Sequence, residues 1–137
     1  IISNMFKNLM IAALMATTSA YQTDTDLIKQ GEGFRSCTYK DTKGLNTVCY
    51  GFNLQKSGAA TSVANAGCNY SSLINGVCAS QSVCDNLLSR EVQSARNIVN
   101  SQFGSISCPA AQAVVVDLAY NLGSCSLAQF KHFKAAI

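Results

Sequence analysis

The chain has 137 residues, with ten basic and seven acidic side chains, a net charge of +3 and seven cysteines. This length is enough for one compact domain with a modest hydrophobic core. The small positive charge suits an anionic partner only weakly. Because no basic cluster is interleaved with aromatic residues, we expect no nucleic-acid partner.

Residues 1–20 have the pattern of a secretory signal peptide, with a basic start, a short apolar run at residues 9–15 and small residues up to Ala20. The apolar run is too short to span a bilayer. We therefore expect cleavage after Ala20, secretion to an extracellular or lysosomal or vacuolar lumen, and no membrane partner afterwards. A buried N-terminal helix is the alternative. Residues 1–4 precede the plausible initiator Met5 and are interpreted as translated upstream sequence.

Seven cysteines in an exported chain predict disulfides. Zinc is an alternative, but the sequence has no Cys-x-x-Cys pair and His132 is its only histidine, so we expect no metal site. A Cys-His nucleophile would require one free thiol, and no cysteine stands out for that role. The candidate disulfide residues are all seven: Cys37, Cys49, Cys68, Cys78, Cys84, Cys108 and Cys125.

Residues 21–30 predict a short helix that leads into the next segment. Thr23 or Asp24 is the candidate cap, and Leu27 and Ile28 are expected to point inward. The glycine at position 31 is expected to weaken the end of this helix just before Glu32.

The run Asp-Thr-Lys-Gly at residues 41–44 predicts the turn of a β-hairpin. A three-residue loop sets the register, in which the facing pairs are Asp41–Leu45, Tyr39–Thr47 and Cys37–Cys49. Since alternate side chains of a strand share a face, these residues are expected on one side of the hairpin, toward which the preceding helix delivers Glu32. Directly opposite Cα atoms are about 4.5–5.5 Å apart, so the register also predicts a Cys37–Cys49 disulfide.

Two carboxylates held apart across a groove are what hydrolysis of a glycosidic bond requires. One must be a protonated acid in a dry environment, and the other must stay ionised to activate water or stabilise the transition state. Glu32 and Asp41 fit these roles, with the Thr47 hydroxyl able to position water. On spacing alone, the simpler interpretation is the commoner one: a solvated helix-end charge, a turn residue and a strand former.

Residues 55–79 are rich in small and polar residues and predict a long surface excursion, held by Cys68 and Cys78, with a helical turn at residues 59–66. Asn69 begins an Asn-Tyr-Ser sequon and is a candidate glycosylation site. After this excursion, residues 82–101 predict a long helix with a capping box at Ser82 and Asp85. Its apolar stripe at helical spacing consists of Cys84, Leu87, Leu88, Val92, Ala95, Ile98 and Val99.

Gly104 and Ser105 are expected to end the long helix. The next helix begins at Pro109, runs to about Leu122 and stops at Gly123. It is apolar almost all round, which predicts the buried centre of a helical lobe. A further helix is expected from residue 126 to residue 137, with its histidine solvated.

Several of these motifs together resemble the catalytic segment of the phage-type, T4-like lysozymes of glycoside hydrolase family 24. They are Glu-Gly-Phe-Arg from residue 32, Tyr-Lys-Asp-Thr-Lys-Gly from residue 39 and Asn-Thr-Val-Cys-Tyr-Gly from residue 46. Family members carry a Glu, a turn Asp nine residues later and a Thr six further on, and Glu32, Asp41 and Thr47 match all three. At residues 49–52 this chain has Cys-Tyr-Gly-Phe where the family usually has Gly-Tyr-Gly-His, so the local packing is expected to differ there.

The resemblance covers residues 24–137 and implies an α+β lysozyme-like fold. We expect a small lobe with a β-hairpin, a mainly helical lobe joined to it by the long helix, and a saccharide cleft between them. The implied organisation is a signal peptide at residues 1–20 and a catalytic domain at residues 21–137. The implied protein is a monomer that acts on peptidoglycan without a cofactor.

The resemblance also assigns roles to residues. The implied reaction is hydrolysis of the β-1,4 bond between N-acetylmuramic acid and N-acetylglucosamine, with Glu32 as general acid. Asp41, helped by Thr47, would orient or activate the water and give an inverting outcome. Tyr39 and Tyr50 are the candidate substrate contacts. Two alternatives stay open: an inactive secreted wall-binding or antimicrobial protein, and a chitin-oligomer hydrolase on the same fold.

The odd cysteine count and the last eight residues, which look like a helix cut in mid-run, predict a chain that is incomplete at its C-terminus. Family resemblance agrees, since phage-type lysozymes continue with further helices. The alternative is a complete short protein with one free or intermolecular cysteine.

Overall fold

The structure is a computed structural model that describes residues 22–128, without the side chains of Ser124 and Cys125. Its helices and strands in chain order are α1 (Asp24–Glu32), β1 (Arg35–Lys40), β2 (Asn46–Cys49), β3 (Phe52–Asn53), α2 (Ala59–Asn65), α3 (Tyr70–Ile74), α4 (Gln81–Phe103) and α5 (Pro109–Leu127). The three strands form one antiparallel sheet in the order β1-β2-β3. These elements confirm the predicted α+β lysozyme-like fold.

The chain divides into two compact units. Residues Glu32–Arg90 form the first, called here the hairpin unit, and Ile1–Gly31 with Glu91–Ile137 form the second, called here the terminal unit. Within residues 22–128, no helix is both long enough and apolar enough to cross a membrane. The predicted signal peptide, most of the predicted last helix with its histidine, and the predicted disulfide role of Cys125 lie outside the described residues and side chains.

The N-terminus of α1 is capped by Thr23, one of the two predicted candidates. Its Oγ1 accepts a hydrogen bond from the backbone N–H of Asp26 at 3.2 Å, and its own N–H donates to Asp26 Oδ2 at 3.2 Å. This reciprocal pair satisfies two backbone donors at the helix start. Helix α1 includes Gly31 and ends at Glu32, and the backbone turns at Gly33, where φ is +70°.

A buried ion pair within the terminal unit joins α1 to α4. Asp24 is only 7% exposed. Both of its carboxylate oxygens accept hydrogen bonds of 2.7 Å from the Arg96 guanidinium. These charged hydrogen bonds hold the pKa of the Asp24 carboxyl below its usual value, although burial acts in the opposite direction. The pair therefore stabilises the terminal unit only while Asp24 is ionised.

The apolar stripe of α4 is confirmed: of its seven predicted members, six are buried and Ile98 is half-buried. The predicted capping box is wrong. Ser80 caps the helix instead, since its Oγ accepts from the Val83 N–H at 3.2 Å. The helix ends at Phe103, and Gly104 follows with φ +74°, as the sequence predicts.

Helix α5 begins at Pro109 and is interrupted at Gly123, which has φ 71° and ψ 175°, so the predicted stop at this glycine is confirmed. Its buried apolar residues are Ala113, Val115, Val116, Ala119 and Leu127. Leu118, Tyr120 and Leu122 are half-buried, so burial is less complete than the apolar sequence predicts.

The hairpin has the predicted register near its turn and a different one farther away. Tyr39 faces Thr47, as predicted. Toward the start of β1 the register shifts, so that Arg35 faces Cys49, the place predicted for Cys37. Such a bulge adds residues to one strand and rotates the side chains that follow. The predicted cross-strand disulfide therefore loses its geometric basis.

The disulfides among the described residues are Cys37–Cys78 and Cys49–Cys84. The predicted Cys37–Cys49 pair is wrong. A backbone hydrogen bond of 2.8 Å from the Ala79 N–H to the Ser36 carbonyl brings the segment before α4 alongside β1, which explains the partner of Cys37. The side chain of Cys49 is buried against α4, which carries its partner.

The segment between the sheet and α4 is not the surface excursion that its composition predicts. The helical turn predicted at residues 59–66 is confirmed as α2, and α3 is a second short helix. Ala59, Val63, Ala66, Leu73 and Ala79 are buried, so the segment supplies much of the apolar interior of the hairpin unit.

The predicted role of Cys68 in holding this segment is also wrong. Cys68 has a free thiol, as has the exposed Cys108, while Cys78 bonds to Cys37. Asn69 caps α3, and its Oδ1 accepts from the Ser72 N–H at 2.9 Å. Glycosylation of its exposed side chain stays a prediction.

The Asp24–Arg96 pair predicts a pH-dependent stability. Asp24→Asn should lower the free energy of unfolding at pH 7 by about 1–3 kcal/mol, because it removes a charged hydrogen-bonded pair. Since the folded-state pKa of Asp24 is lowered, this stabilisation is complete above the unfolded pKa of about 3.9 and is lost as the pH falls through the folded value.

Urea unfolding of wild type and Asp24→Asn at pH 7 and at about pH 3 measures this effect, and the difference should shrink at the lower pH. The matched control is Asp26→Asn, which neutralises an exposed carboxylate of the same helix and should cost less than about 1 kcal/mol. An Asp24→Asn effect that is the same at both pH values would contradict the assignment.

Candidate functional site

The predicted acid, Glu32, stands at the end of α1, where the chain reverses into the hairpin. Gly33 makes the reversal possible with its positive φ. The Glu32 carboxylate lies against the backbone of Gly51: a Cβ built on Gly51 would be 2.7 Å from Glu32 Oε2 and 3.4 Å from its Cδ. Gly51 also has φ +79°, so only glycine meets both the space and the conformation of this position.

The second predicted carboxylate, Asp41, is fixed by its own loop. Its Oδ1 accepts hydrogen bonds of 2.8 Å from the backbone N–H groups of both Lys43 and Leu45. Its backbone N–H donates to the Leu45 carbonyl at 3.0 Å, and its carbonyl accepts from Gly44 at 3.0 Å. Among the described residues nothing donates to Oδ2. One oxygen therefore holds the loop and the other is available for chemistry.

Thr47 is tied to the same loop. It is only 3% exposed, and its hydroxyl donates to the Leu45 carbonyl at 3.2 Å. The peptide groups of Leu45 thus contact both Asp41 and Thr47, which couples the positions of the carboxylate and the hydroxyl. The Thr47 hydroxyl donates its only hydrogen in this bond. Toward a water molecule it can therefore act only as an acceptor, through its oxygen lone pairs.

Tyr39 connects the two carboxylates electrostatically. It faces Thr47 across the hairpin, and the Arg35 guanidinium lies 4.6 Å from the centroid of its ring. Burial raises the pKa of the Tyr39 hydroxyl, the negative charges of Glu32 and Asp41 raise it further, and the charge of Arg35 opposes them. The Tyr39 hydroxyl therefore stays protonated at neutral pH.

Tyr50, the other predicted substrate contact, is buried rather than presented to a ligand. It is 8% exposed, and its ring packs against Phe34 with a centroid distance of 5.2 Å. Its hydroxyl accepts from Gln81 Nε2 at 2.9 Å and donates to Asp85 Oδ1 at 3.4 Å. Little of this side chain is left for a saccharide, whereas Tyr39 is half-exposed.

The structure thus brings Glu32, Asp41, Thr47 and Tyr39 together in the hairpin unit. Sequence reasoning missed the contributions of Gly51 and Arg35, although both stand inside the motifs that carry the family resemblance. It also predicted a dry environment for the acid, whereas the Glu32 side chain is exposed. Residues 22–128 contain no group of three His, Cys, Asp or Glu side chains that could hold a metal ion.

Comparison with known families agrees with this geometry. A family model described as phage lysozyme matches residues 29–136, which include every residue of the site. No curated protein matches the chain significantly. Lysis of bacterial cell walls is therefore the activity by which to test the site.

The contact between Gly51 and Glu32 predicts that Gly51→Ala displaces the acid. Its Cβ would overlap Glu32 Oε2, and because the end of a Glu side chain moves easily, the carboxylate should shift rather than the backbone. We expect wall lysis to fall about 10–100-fold, since small misplacements of a catalytic group are costly. Stability should fall by about 1–2 kcal/mol from the positive φ alone.

Gly58→Ala is the matched control for this variant. Gly58 has φ +76°, nearly that of Gly51, but a Cβ there meets no atom within 4 Å. The two variants should lose similar stability in urea unfolding, while only Gly51→Ala loses lysis. Equal lysis by both variants would show that the Glu32 contact has no bearing on activity.

Proposed function

The chain belongs to the phage lysozyme family, and we propose that it is a secreted muramidase that hydrolyses the β-1,4 bond between N-acetylmuramic acid and N-acetylglucosamine. Membership supports a lysozyme-type peptidoglycan hydrolase in general. The observation that supports the more specific proposal best is the geometry of Asp41, whose Oδ1 is held by the Lys43 and Leu45 N–H groups while Oδ2 accepts no bond among the described residues. Glycoside hydrolysis uses two carboxyl groups, one as proton donor and one as base, and Glu32 and Asp41 are the candidates for these roles.

In this proposal Glu32 is the general acid. Its carboxyl proton passes to the glycosidic oxygen as the bond between that oxygen and the anomeric carbon breaks, so the leaving sugar departs as a neutral alcohol. The side chain of Glu32 is exposed, so in this proposal a bound saccharide excludes water from it. Its position against Gly51 limits where the proton can be delivered.

Asp41 is the base of the proposed reaction. Its Oδ2 accepts a proton from the attacking water, whose oxygen forms the new bond to the anomeric carbon. The two hydrogen bonds to Oδ1 keep the orientation of the carboxylate without involving Oδ2. Attack from the side opposite the leaving group inverts the anomeric centre. Thr47, held through Leu45, accepts a hydrogen bond from the same water.

The neutral Tyr39 hydroxyl serves as a hydrogen-bond donor beside both acids. Because its pKa is raised, it does not add a third negative charge to the site at neutral pH. Arg35, stacked on the Tyr39 ring, places a positive charge next to the cluster and suits an anionic glycan. The disulfides of the hairpin unit fit an oxidising, extracellular compartment.

Two other functions are distinguished from this one by a pair of assays on the wild-type chain. A muramidase clears suspensions of peptidoglycan and leaves chitin oligomers largely intact. A chitin-oligomer hydrolase shows the opposite preference, and an inactive wall-binding protein adsorbs to peptidoglycan without cleaving either polymer.

Glu32→Gln should reduce wall lysis by about 10²–10⁴-fold, because the amide keeps the shape of the acid but cannot donate its proton to the leaving group. Adsorption to peptidoglycan and the urea unfolding curve should stay close to those of the wild type. A folded Glu32→Gln protein with near-normal lysis would rule Glu32 out as the general acid.

Asp41→Asn and Asp41→Ala separate the two tasks of Asp41. Asn keeps the Oδ1 acceptor of the loop, so Asp41→Asn should stay nearly as stable as the wild type while losing about 10²–10⁴-fold in lysis. Ala removes the acceptor as well, so Asp41→Ala should lower the free energy of unfolding by about 1–3 kcal/mol more than Asp41→Asn does. If Asp41→Asn kept its lytic activity and only the less stable Asp41→Ala lost it, the role of Asp41 as base would be contradicted.

A further inference from the structure

We propose that Tyr50 is a positioning residue for Glu32, acting through the turn between β2 and β3 rather than by contact with substrate. This turn, residues 50–51 together with Cys49 at the end of β2, is called here the glycine turn. The inference rests on the proposed function, in which the location of the Glu32 carboxyl decides the rate of bond cleavage.

The Tyr50 hydroxyl anchors the glycine turn to the first turns of α4. It takes part in a closed set of three hydrogen bonds: Gln81 Nε2 donates to it at 2.9 Å, it donates to Asp85 Oδ1 at 3.4 Å, and Gln81 Nε2 also reaches Asp85 Oδ1 at 3.2 Å. Tyr50 is 8% exposed and Asp85 is half-buried, whereas Gln81 is exposed, so the two bonds of the Tyr50 hydroxyl are partly shielded from water.

The residue on each side of Tyr50 is constrained as well. Cys49 adopts φ 61°, which is unusual for a residue other than glycine, and its disulfide to Cys84 reaches the same part of α4. Gly51 on the other side is the residue whose backbone abuts Glu32 Oε2. The turn is thus fixed to α4 at two consecutive residues, and the third residue limits the position of the acid.

Tyr50 also contacts the chain segment that carries Glu32. The centroid of its ring lies 5.2 Å from that of Phe34, which follows Glu32 by two residues. Phe34 is 44% exposed, which is high for a large apolar residue. Tyr50 therefore restrains both sides of the contact between Gly51 and Glu32. A tyrosine that only filled space would need the ring but not the two hydrogen bonds of its hydroxyl.

Positioning and substrate contact predict different kinetics. If Tyr50 holds Glu32 in place, removing its hydroxyl affects the chemical step and lowers kcat, while binding of the glycan and KM change little. If Tyr50 contacts the glycan in both ground and transition states, the loss appears in KM.

The experiment compares Tyr50→Phe with Tyr70→Phe on soluble peptidoglycan fragments. Tyr50→Phe keeps the ring against Phe34 and removes the hydroxyl. Tyr70→Phe removes a comparable hydroxyl from the same unit, one that donates to the Leu54 carbonyl at 2.6 Å, away from the glycine turn. We expect kcat of Tyr50→Phe to fall about three- to tenfold with KM within about twofold of the wild type. Tyr70→Phe should keep both constants.

Two further variants make the result independent of the folding of Tyr50→Phe. Asp85→Ala removes the acceptor of the Tyr50 hydroxyl and should lower kcat in the same way. Adding Tyr50→Phe to Gly51→Ala should lower kcat less than it does in the wild type, because both changes release the same carboxylate.

Equal kcat values for Tyr50→Phe and Tyr70→Phe, or a higher KM with unchanged kcat for Tyr50→Phe, would overturn the inference while the wild type still lyses walls. A wild-type chain that cleaves no peptidoglycan overturns the proposed function itself, and the role of Tyr50 with it.

Discussion

The contact between the Glu32 carboxylate and the Gly51 backbone is the constraint on which the site depends. A Cβ at position 51 would overlap the carboxylate and displace it, and the positive φ of the backbone there favours glycine. The constraint also fixes the path of the chain on both sides, since α1 must end at Glu32 and the glycine turn must pass directly beside it. The position of the proposed acid is thus set by backbone, which moves less than a side chain would.

Cys49 combines an unfavourable backbone conformation with a disulfide bond to α4. The backbone at Cys49 has φ 61°, a conformation that costs a residue with a Cβ about 1–2 kcal/mol. Disulfides typically contribute about 2–4 kcal/mol, and a contribution of that size from the Cys49–Cys84 bond exceeds the cost. The same residue that strains the turn thereby attaches it to α4.

In Asp41, one carboxylate oxygen has a structural role and the other has the proposed chemical role. Oδ1 of Asp41 holds the hairpin loop, and the proposed chemistry uses Oδ2. The peptide of Leu45 links the carboxylate to the Thr47 hydroxyl. Because Asp41 orders the loop that carries it, the loop needs no additional residues to orient this proposed base.

The sequence by itself determined the features that depend on neighbours along the chain. The stripe of α4, the stop at Gly123 and the facing pair Tyr39–Thr47 follow from helical period, glycine conformation and loop length, all of which act over a few residues. Only the tertiary structure decided the disulfides, whose partners are 41 and 35 residues apart, the buried Asp24–Arg96 pair, and the Glu32–Gly51 contact. These depend on a bulge in β1 and on packing between distant segments, and no local pattern of residue types specifies which distant side chains will meet.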